Sequence, residues 1–494
     1  MTAAGGREGK DEMTLRAGAR RIRGGAPQSG EIARVQRPRS YKRRVLWAGV
    51  AALLPLVWLG TPAGADHGPH GQQGQQGQQG QGSDQSGATL YVSTTGSSAN
   101  SDQGCTTAGY DHIQTAVDAA AAGDTVHVCA GTYNEQVTIT TDGLMLTGTG
   151  TTSLIEPTSA PTLVHTADTP SSSPGMAPVI DVGPGVVGVT VRNLEVDGAG
   201  WMPVLTGCGV DPVGVLFHGA SGVVRTVTVS TMKLSAALDG CQAGQGIYVD
   251  ETGTAVSPTG TARVAIVHDT VDGFQKNGIT CDDHGTSCSI TQNTVTGVGP
   301  TSGAAENGIQ VLAARARIAG NTVATVDWTG TATPKYPRAT FASGILLYGA
   351  EGEIQVQKNN LRNAQLAVAV VDSDATVQKN TVTETSPGMP GSVGVYAVAC
   401  TRYCHTLGFS PGTIRVVIVR NSIALGTAAG TTGIWVGDPT ATKTGSVDVT
   451  AVGNTITGAT EDVVLGPTAS GTVQTSSDGA DGHHSAPKGG PHGH

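Results

Sequence analysis

Three side chains able to carry acid–base chemistry recur at a constant spacing in the middle of this 494-residue sequence. His218, Asp250 and Asp282 are separated by 32 and 32 residues. Imidazole and carboxylate groups act as proton donors and acceptors when they are held next to a reacting group. Each of the three ends a short apolar stretch that begins with glycine. The spacing therefore predicts a column of acid–base groups on successive turns of a repeating β structure.

The glycine-led stretches belong to a longer repeat. From residue 178 onward one unit recurs, G-[IV]-x-[VLF] followed by V-x-x-N-x-[VIL]. Short β-branched runs with period-2 alternation, and no 3.6-residue rhythm, indicate strands. Each unit is too short to bury a core alone, so we expect stacked coils that share one core of Val, Ile and Ala. The glycine-led strands are predicted to begin at Gly214, Gly246, Gly278, Gly308, Gly344, Gly394 and Gly433.

The second half of each unit carries a recurrent polar residue. Because Asn tolerates the αL conformation, it suits a tight turn between strands. Stacked in successive coils, the side-chain amides would hydrogen-bond along the axis of the stack. We interpret these residues as structural: Asn193, Asp269, Asn293, Asn321, Asn360, Asn380, Asn421 and Asn454.

Strand alternation predicts which side chains face outward. If the residue after each glycine points inward, the next residue and the one two beyond it point outward. Neighbouring coils stack about 4.8 Å apart, which would place Asp250 beside Asp282. Two carboxylates about 5 Å apart suit a retaining glycosidase. The same pair would suit a Ca²⁺ site, so calcium is an optional cofactor and no other cofactor is predicted.

Aromatic side chains are predicted on the same outward sheet. Rings offer flat apolar faces to sugars, and only 4% of this sequence is aromatic. The predicted substrate-binding residues are His218, Tyr248, Tyr348, Tyr396 and Trp435.

Three further residues are candidate catalytic groups beside the column. Asp283 and His284 follow its last acid, in a loop that a Cys281–Cys288 disulfide would close. Lys276 lies on the same strand line and is the candidate base for a β-elimination. The alternative interpretation is that these are ordinary outward residues of a solvated sheet and that the Asp-Asp-His-Gly segment is an ordinary turn.

The start of the repeat domain contains an Ala-rich helix followed by a strand. Residues 113–133 read IQTAVDAAAAGDTVHVCAGTY, with the helix expected to end at Gly123. This segment resembles the N-terminal cap of right-handed parallel β-helix proteins of the pectate-lyase-like superfamily. The resemblance covers residues 88 to 470 and implies an all-β, single-stranded right-handed parallel β-helix with a short N-terminal capping helix. The superfamily includes lyases, hydrolases, epimerases and non-catalytic surface proteins, so the resemblance implies a fold and no single activity.

The catalytic motifs of the named families in that superfamily do not carry over. Asp282-Asp283-His284-Gly285 compresses two separate polygalacturonase motifs into one loop. The D-P-H of alginate epimerases and the R-x-P-x-x-R of pectate lyases are missing from the domain.

The N-terminal region is predicted to direct export. Residues 1–65 form a signal peptide with a long basic n-region, in which Lys42-Arg43-Arg44 precedes an apolar run over 45–60. Those 16 residues are shorter than the roughly 20 that span a bilayer, and an uncleaved anchor is the alternative. Residues 66–87 form a Gly/Gln-rich flexible linker. We therefore expect a secreted or cell-surface protein, most simply a monomer, with no membrane insertion after signal cleavage.

The rest of the chain is acidic and contains all eight cysteines. Residues 1–65 contain 12 basic and 4 acidic side chains, whereas the remaining 429 contain 17 and 34. This charge disfavours nucleic acid as a partner. An even number of cysteines in an exported chain indicates disulfides. The sequence leaves the disulfide connectivity open. If each cysteine pairs with its neighbour along the chain, the expected disulfides are Cys105–Cys129, Cys208–Cys241, Cys281–Cys288 and Cys400–Cys404.

Three functions remain from the sequence. The first is a secreted β-helix that binds or processes extracellular polysaccharide, as a lyase or glycoside hydrolase if it is an enzyme. The second is a non-catalytic cell-envelope or surface solenoid with a structural or adhesive role. The third is metal handling by the Gly/His-rich tail, residues 471–494, which is otherwise expected to be disordered.

Overall fold

The computed structural model describes residues 87–164, 175–251, 262–329, 341–384, 391–399, 412–426, 428–437, 445–477 and 481–485. These residues form stacked three-sided coils, with one side in an 11-stranded sheet and two sides in a 24-stranded sheet. The predicted right-handed parallel β-helix with a short N-terminal helix is confirmed. The predicted signal peptide, residues 66–86 of the predicted linker and the predicted Cys400–Cys404 disulfide lie outside the described residues.

The elements follow one another along the chain in a regular order. Its first half contains β1 (Thr89–Val92), α1 (Ile113–Ala119), β2 (Thr125–Val128), β3 (Gly131–Tyr133), β4 (Val137–Ile139), β5 (Met145–Thr147), β6 (Ser153–Ile155), β7 (Gly175–Val182), β8 (Val189–Arg192), β9 (Glu195–Asp197), β10 (Val210–His218), β11 (Gly222–Arg225), β12 (Thr228–Ser230), β13 (Gln245–Asp250), β14 (Arg263–Val267), β15 (Thr270–Asp272), β16 (Asn277–Asp282), β17 (Ser287–Thr291) and β18 (Thr294–Thr296). Its second half contains β19 (Asn307–Leu312), β20 (Arg315–Ala319), β21 (Thr322–Val326), β22 (Ser343–Tyr348), β23 (Glu353–Gln357), β24 (Asn360–Ala364), β25 (Leu366–Val371), β26 (Asp374–Gln378), β27 (Thr381–Thr383), β28 (Val393–Val398), β29 (Thr413–Val419), β30 (Ser422–Ala424), β31 (Thr432–Val436), β32 (Ser446–Thr457), β33 (Glu461–Leu465), β34 (Ala469–Ser477) and β35 (Asp481–Ser485). Short 3₁₀ turns occupy Cys105–Thr107, Ala199–Trp201 and Ala236–Leu238.

Each coil contributes one strand to every side of the solenoid. In one coil these strands are β13, β14 and β15, and each pairs in parallel with β16, β17 and β18 of the next coil. The inward side chains of successive coils form one continuous core that is rich in Val, Ile and Ala. A single repeat unit is too short to bury a hydrophobic core alone. Stacking solves this, because each coil buries its apolar side chains against the neighbouring coils.

The helix α1 closes the N-terminal end of this core. Ile113, Ala116 and Val117, at helical spacing, are its buried residues. The carboxylate of Glu135 accepts hydrogen bonds from the backbone N atoms of Ile113 (2.8 Å) and Gln114 (3.0 Å). A carboxylate at a helix N-terminus satisfies amides that have no partner within the helix. The helix ends at Ala119, four residues before the expected Gly123.

The glycines that lead β10, β13 and β16 of the 11-stranded sheet, Gly214, Gly246 and Gly278, lie where the coil is narrowest. A Cβ atom on Gly246 would lie 2.3 Å from Cγ1 of Val271, on the opposite wall of the coil. Gly214 and Gly278 meet Val229 and Val295 at 2.3 and 2.4 Å in the same way. At these three positions the recurrence of glycine follows from wall-to-wall contact across the core, because a Cβ atom there would overpack it.

A ladder of buried side-chain amides runs through successive coils. From Asn321 onward, each Asn Oδ1 accepts from the backbone N and from Nδ2 of the preceding rung, as Asn321 does from Asn293 at 2.9 and 3.0 Å. The same Nδ2 also donates to a carbonyl of the preceding coil. The members of the ladder are Asp269, Asn293, Asn321, Asn359, Asn380, Asn421 and Asn454.

Two expected members of the ladder are corrected. Asn359 forms the rung that the repeat pattern assigned to Asn360, which is a half-buried first residue of β24. Asn193 (φ +53°) occupies the preceding turn position, and Leu194 stands where later coils have the rung. The expected αL role also belongs to the residue before each rung, for example His268 with φ +60°. The side chain of the rung residue itself forms the hydrogen bonds along the axis of the solenoid.

Three of the expected disulfides are confirmed by the structure. Bonds join Cys105 to Cys129, Cys208 to Cys241, and Cys281 to Cys288. Each links residues that are close in sequence, with separations of 24, 33 and 7.

The last strands cross the boundary expected at residue 470. β34 continues to Ser477 in parallel with β32, and β35 pairs with it in the antiparallel sense. Part of the expected tail, residues 471–477 and 481–485, therefore belongs to the 24-stranded sheet, whereas residues 486–494 lie outside the described residues.

Candidate functional site

The outward face of the 11-stranded sheet displays the predicted acid–base column. Ile247 and Val249 of β13 belong to the core, whereas Tyr248 and Asp250 alternate with them and face outward. His218 is paired in register with Asp250. Val249 is paired with Cys281, so Asp250 and Asp282 occupy the next position on adjacent coils. The geometry of the column thus matches the prediction, while its catalytic role stays a prediction.

Asp282 is fixed in place by two hydrogen bonds. Tyr248 Oη donates to Asp282 Oδ2 at 2.7 Å, from the preceding coil. The backbone N of Asp283 donates to Asp282 Oδ1 at 2.8 Å. Tyr248 itself is buried against Met176 and Leu216, so its ring is not an exposed platform for a sugar. The phenol instead orients a carboxylate that is only 6% exposed.

His218 has an acidic neighbour that the sequence repeat did not reveal. Its Nε2 lies 3.1 Å from Oδ1 of Asp181 on β7, and both residues are buried. Asp181 is paired in register with Leu216, and His218 lies two residues beyond Leu216 on the same strand. The contact between Asp181 and His218 therefore runs diagonally between the two strands. An imidazole held by a carboxylate has a defined orientation, as acid–base catalysis requires. The coil that contains Asp181 has no glycine-led motif, and for this reason the pattern gave no signal there.

A row of buried side-chain amides borders the column at the start of the strands. Asn307 Nδ2 donates to Asn277 Oδ1 (3.0 Å), and Asn277 Nδ2 donates to Gln245 Oε1 (3.0 Å). Gln245 Nε2 then donates to Asp211 Oδ2 at 3.1 Å. Thr280 Oγ1 also donates to Gln245 Oε1, at 3.0 Å. We call Asp211, Gln245, Asn277 and Asn307 the amide row, and its chain of donors runs toward the carboxylate of Asp211.

Burial makes the carboxyl group at the end of the amide row unusually basic. Desolvation raises the pKa of Asp211 to about 6, and hydrogen bonds from Gly244 N and the Gln245 side chain partly offset this rise. A carboxyl group of this kind exchanges its proton close to neutral pH.

In the later coils, the outward face of the 11-stranded sheet carries apolar side chains. Leu366, Ala369 and Val393 form a buried cluster outside the core of the solenoid, and half-buried Leu346 and Phe341 pack against it. This half of the face is therefore suited to contacts with apolar surfaces rather than to proton transfer.

Two predicted sugar-binding aromatics lie together on this apolar half. Tyr396 and Trp435 are paired in register on β28 and β31, with ring centroids 6.3 Å apart and an edge-to-face orientation. Phe341 lies 6.4 Å from Tyr396. Tyr348, paired with Leu312 in the outer column, is half-buried. Burial and the charge of Asp372 raise the pKa of this tyrosine.

Lys276 lies apart from the acid–base column. It precedes β16, whereas Asp282 ends that strand, and six residues of strand span about 20 Å. Lys276 Nζ donates to the carbonyl of Ala305 at 2.7 Å. Burial lowers the pKa of Lys276 to about 8, an effect that the Glu306 charge partly opposes. Lys276 therefore lies away from the column acids and interacts with a buried acid, Glu306, and its role as a base stays a prediction.

The side chain of His284 also turns away from the column. Its Nδ1 lies 2.6 Å from Glu351 Oε1, and Arg315 Nε lies 3.2 Å from the other oxygen of Glu351. His284 is 67% exposed, at the edge where the chain crosses to the 24-stranded sheet. Asp283 has φ +74° and accepts from the backbone N of His284, which is the geometry of a turn. The turn interpretation of this segment therefore accounts for both residues.

Within the described ranges, no group of acids and histidines comes close enough to form a metal cluster. The one metal-like grouping consists of Cys105, His127 and Cys129, and both of its sulfur atoms belong to a disulfide. The described residues also include no helix with the length and apolar character needed to cross a bilayer.

Comparisons with known proteins find matches among solved structures only. No protein-family model and no curated protein matches the chain. A lacto-N-biosidase from Eubacterium ramulus is 13% identical, over 79% of this chain and 67% of that chain, with a TM-score of 0.47. The A-module of the Azotobacter vinelandii mannuronan C-5 epimerase AlgE4 is 16% identical, over 72% and 94%, with a TM-score of 0.42. An Acinetobacter phage tailspike is 9% identical, over 76% and 61%, with a TM-score of 0.46.

Proposed function

We propose that this protein binds an extracellular polysaccharide along the outward face of the 11-stranded sheet, and that Asp250 and Asp282 are its acid–base pair. The observation that best supports the proposal is the 2.7 Å bond by which Tyr248 Oη orients the Asp282 carboxylate beside Asp250. The His218–Asp181 contact extends the same group of side chains toward the preceding coils.

The cost of burying these side chains supports a role in ligand chemistry. Asp250 is fully buried, and His218 and Asp282 are more than nine-tenths buried. Burying ionisable groups is unfavourable even when they are hydrogen-bonded. The solenoid itself does not need them, because later coils place Leu346 and Ala369 on the same face. An ordinary solvated sheet, the alternative interpretation of these acids, would leave them exposed.

The length of the face suits a polymer. Tyr396 and Tyr248 occupy the same column, five coils apart, which corresponds to about 24 Å at 4.8 Å per coil. The half-buried rings of Tyr396 and Trp435 would supply apolar contacts to sugar units at one end, and the acid–base column would act at the other. A ligand that contacts both must be extended along the solenoid axis.

The spacing of the acid pair favours hydrolysis with retention among the cleavage reactions. Positions on adjacent coils are about 4.8 Å apart, close to the 5–5.5 Å of retaining glycosidases. In that reaction one carboxylic acid protonates the leaving oxygen while the other carboxylate attacks the sugar carbon. Calcium held by Asp250 and Asp282 is the competing role for the same pair, although both oxygens of Asp282 already accept hydrogen bonds.

The test is a screen of the purified full chain against a panel of polysaccharides, with calcium and with a chelator. Binding is measured by affinity electrophoresis, new reducing ends by a colorimetric assay, and unsaturated products by ultraviolet absorbance. Variants Asp282→Asn and Tyr248→Phe are compared with Asp448→Asn, which removes an exposed carboxylate from the 24-stranded sheet.

We expect binding by the wild type and the Asp448→Asn control, with reducing ends that disappear in Asp282→Asn and fall in Tyr248→Phe. Loss of activity in chelator would assign the acids to calcium instead. If the wild type neither binds nor cleaves any polysaccharide of the panel, the proposal is refuted and the alternative of a non-catalytic surface solenoid remains.

A further inference from the structure

One disulfide near the N-terminal end of the solenoid has a histidine beside it. The Cys105–Cys129 bond joins the short 3₁₀ turn Cys105–Thr107 to the residue that follows β2, and His127 is the third residue of β2. A ring nitrogen of His127 and both sulfur atoms all lie within 4.8 Å of one another. No other grouping of this kind occurs in the part of the chain that the structure describes.

The two sulfur atoms of this disulfide differ in their access to solvent. Cys105 is an exposed residue, whereas Cys129 is only 3% exposed. A thiolate attacks a disulfide at the sulfur that it can reach, and the other sulfur then leaves. The difference in exposure therefore selects Cys105 for attack and Cys129 as the leaving sulfur. In the Cys281–Cys288 disulfide, by comparison, both residues are buried.

The imidazole of His127 is available to the sulfur atoms. Neither of its ring nitrogens forms a hydrogen bond with any described residue, and the ring packs against Tyr91 with the centroids 5.3 Å apart. Burial lowers the pKa of His127, so the ring is neutral at neutral pH and can accept a proton. A neutral imidazole held next to reacting atoms acts as a general base and, once protonated, as a general acid.

The backbone near each cysteine is held by hydrogen bonds that do not involve the disulfide. Tyr133 Oη donates to the carbonyl of Cys129 at 2.9 Å. In the loop that leads to Cys105, Asp102 Oδ1 accepts from the backbone N of Tyr91 at 2.9 Å. Opening the S–S bond therefore leaves the buried sulfur beside the imidazole, and the bond can form again.

From this geometry we propose that the Cys105–Cys129 disulfide is a thiol-exchange site for small thiols, with His127 as its acid–base group. The imidazole takes the proton of the incoming thiol, whose sulfur bonds to Cys105 Sγ as the S–S bond breaks. The electron pair of that bond goes to Cys129 Sγ, which receives the proton from the imidazolium. The products are a mixed disulfide at Cys105 and a thiol at Cys129, so no further oxidant or reductant is consumed.

This activity goes beyond the proposed polysaccharide function and does not depend on it. β1 and β2 belong to the 24-stranded sheet, whereas the proposed polysaccharide face is the outward face of the 11-stranded sheet. The two proposals can therefore fail separately.

The test exposes the purified, oxidised full chain to glutathione at neutral pH and then adds iodoacetamide to cap the released thiol. Peptide mass spectrometry follows the glutathione adduct and the capped cysteine of each disulfide over time. Cys208–Cys241 is an internal control, because it also joins an exposed cysteine to a buried one but has no described histidine grouped with it. We expect glutathione on Cys105 and the cap on Cys129, formed at least about tenfold faster than the adduct at Cys208–Cys241.

Two histidine variants assign the proton transfer. His127→Gln keeps a polar side chain that cannot carry a proton, and should slow exchange at Cys105 about tenfold or more while Cys208–Cys241 keeps its rate. His112→Gln, which changes an exposed histidine outside the grouping, should leave both rates unchanged. Urea unfolding of the oxidised variants establishes that each retains the fold.

Equal exchange rates at the two disulfides of the wild type would overturn the proposal without the need for any variant. An adduct on Cys129 would overturn it as well, and so would a folded His127→Gln variant that exchanges as fast as the wild type. Polysaccharide binding is measured on the same preparations. Its absence together with rapid exchange at Cys105 would refute the proposed function alone.

Discussion

Asp269 is the one acid in a ladder otherwise built from asparagine, and its replacement by Asn tests how the ladder works. Asp269 Oδ1 accepts from Val227 N at 2.8 Å, and Asp269 N donates to Asn293 Oδ1 at 2.9 Å. Asp269 Oδ2 is buried with no hydrogen-bond partner in the described part of the chain, at the place where every other rung has an NH₂ group. A protonated acid or an amide supplies a donor there, and a carboxylate cannot.

The magnitude follows from the pKa of this group. Desolvation raises the pKa of Asp269 to about 7, although backbone N–H donors and Arg225 partly offset it. In the unfolded chain the pKa of this group is about 3.9. Between about pH 4 and pH 7, a range of roughly three pH units, Asp269 is therefore protonated in the folded state and ionised in the unfolded state. Stability then falls as pH rises from about 4 to about 7, by up to about 4 kcal/mol. Asp269→Asn, which never ionises, removes this loss.

The assay is urea unfolding followed by circular dichroism from pH 4 to pH 8. We expect the variant and the wild type to be about equally stable at pH 4, and the variant to be more stable by several kcal/mol at pH 8. Hydrogen exchange at Val227 N reports the same rung locally. Asp448→Asn is the matched control, because it makes the same chemical change on an exposed position of β32 and should leave the pH dependence unaltered. A stability difference that stays constant with pH, or a variant less stable at pH 8, would refute the reasoning.

Two further predictions concern the interior of the coils. Asn380→Ala removes four side-chain hydrogen bonds, to Asn359 N and Nδ2, Val356 O and Asn421 Oδ1, and should lower the free energy of unfolding by about 3 kcal/mol in urea denaturation. Gly246→Ala places a methyl group against Val271 and should cost about 1–3 kcal/mol in the same measurement.

Each of these has a control of the same chemical kind. Asn360→Ala removes a half-buried amide outside the ladder and should change stability by less than about 0.5 kcal/mol. Gly104→Ala adds a methyl group with nothing within 4 Å and should be similarly neutral. If either control costs as much as its partner, the loss does not come from the ladder or from wall-to-wall contact.

Features that depend on local periodicity could be predicted from the amino-acid sequence alone. Alternation along a strand has a period of two, so the glycine register alone assigned Tyr248, Asp250 and Asp282 to the outward face. The coil that separates His218 from Asp250 is 32 residues long. The 32-residue spacing in the sequence was therefore enough to predict that these two residues are paired in register. The three described disulfides were also predictable, because each joins cysteines that neighbour one another along the chain.

Contacts between side chains of different coils, by contrast, became apparent only in the folded structure. Asp181 meets His218 diagonally from a coil without the motif, and His284 turns to Glu351, 67 residues away. The burial of Tyr248 and the distance of Lys276 from Asp282 likewise depend on how coils of different length are stacked. Strand periodicity sets the direction of a side chain, whereas its partner is set by packing between coils that the one-dimensional pattern does not encode.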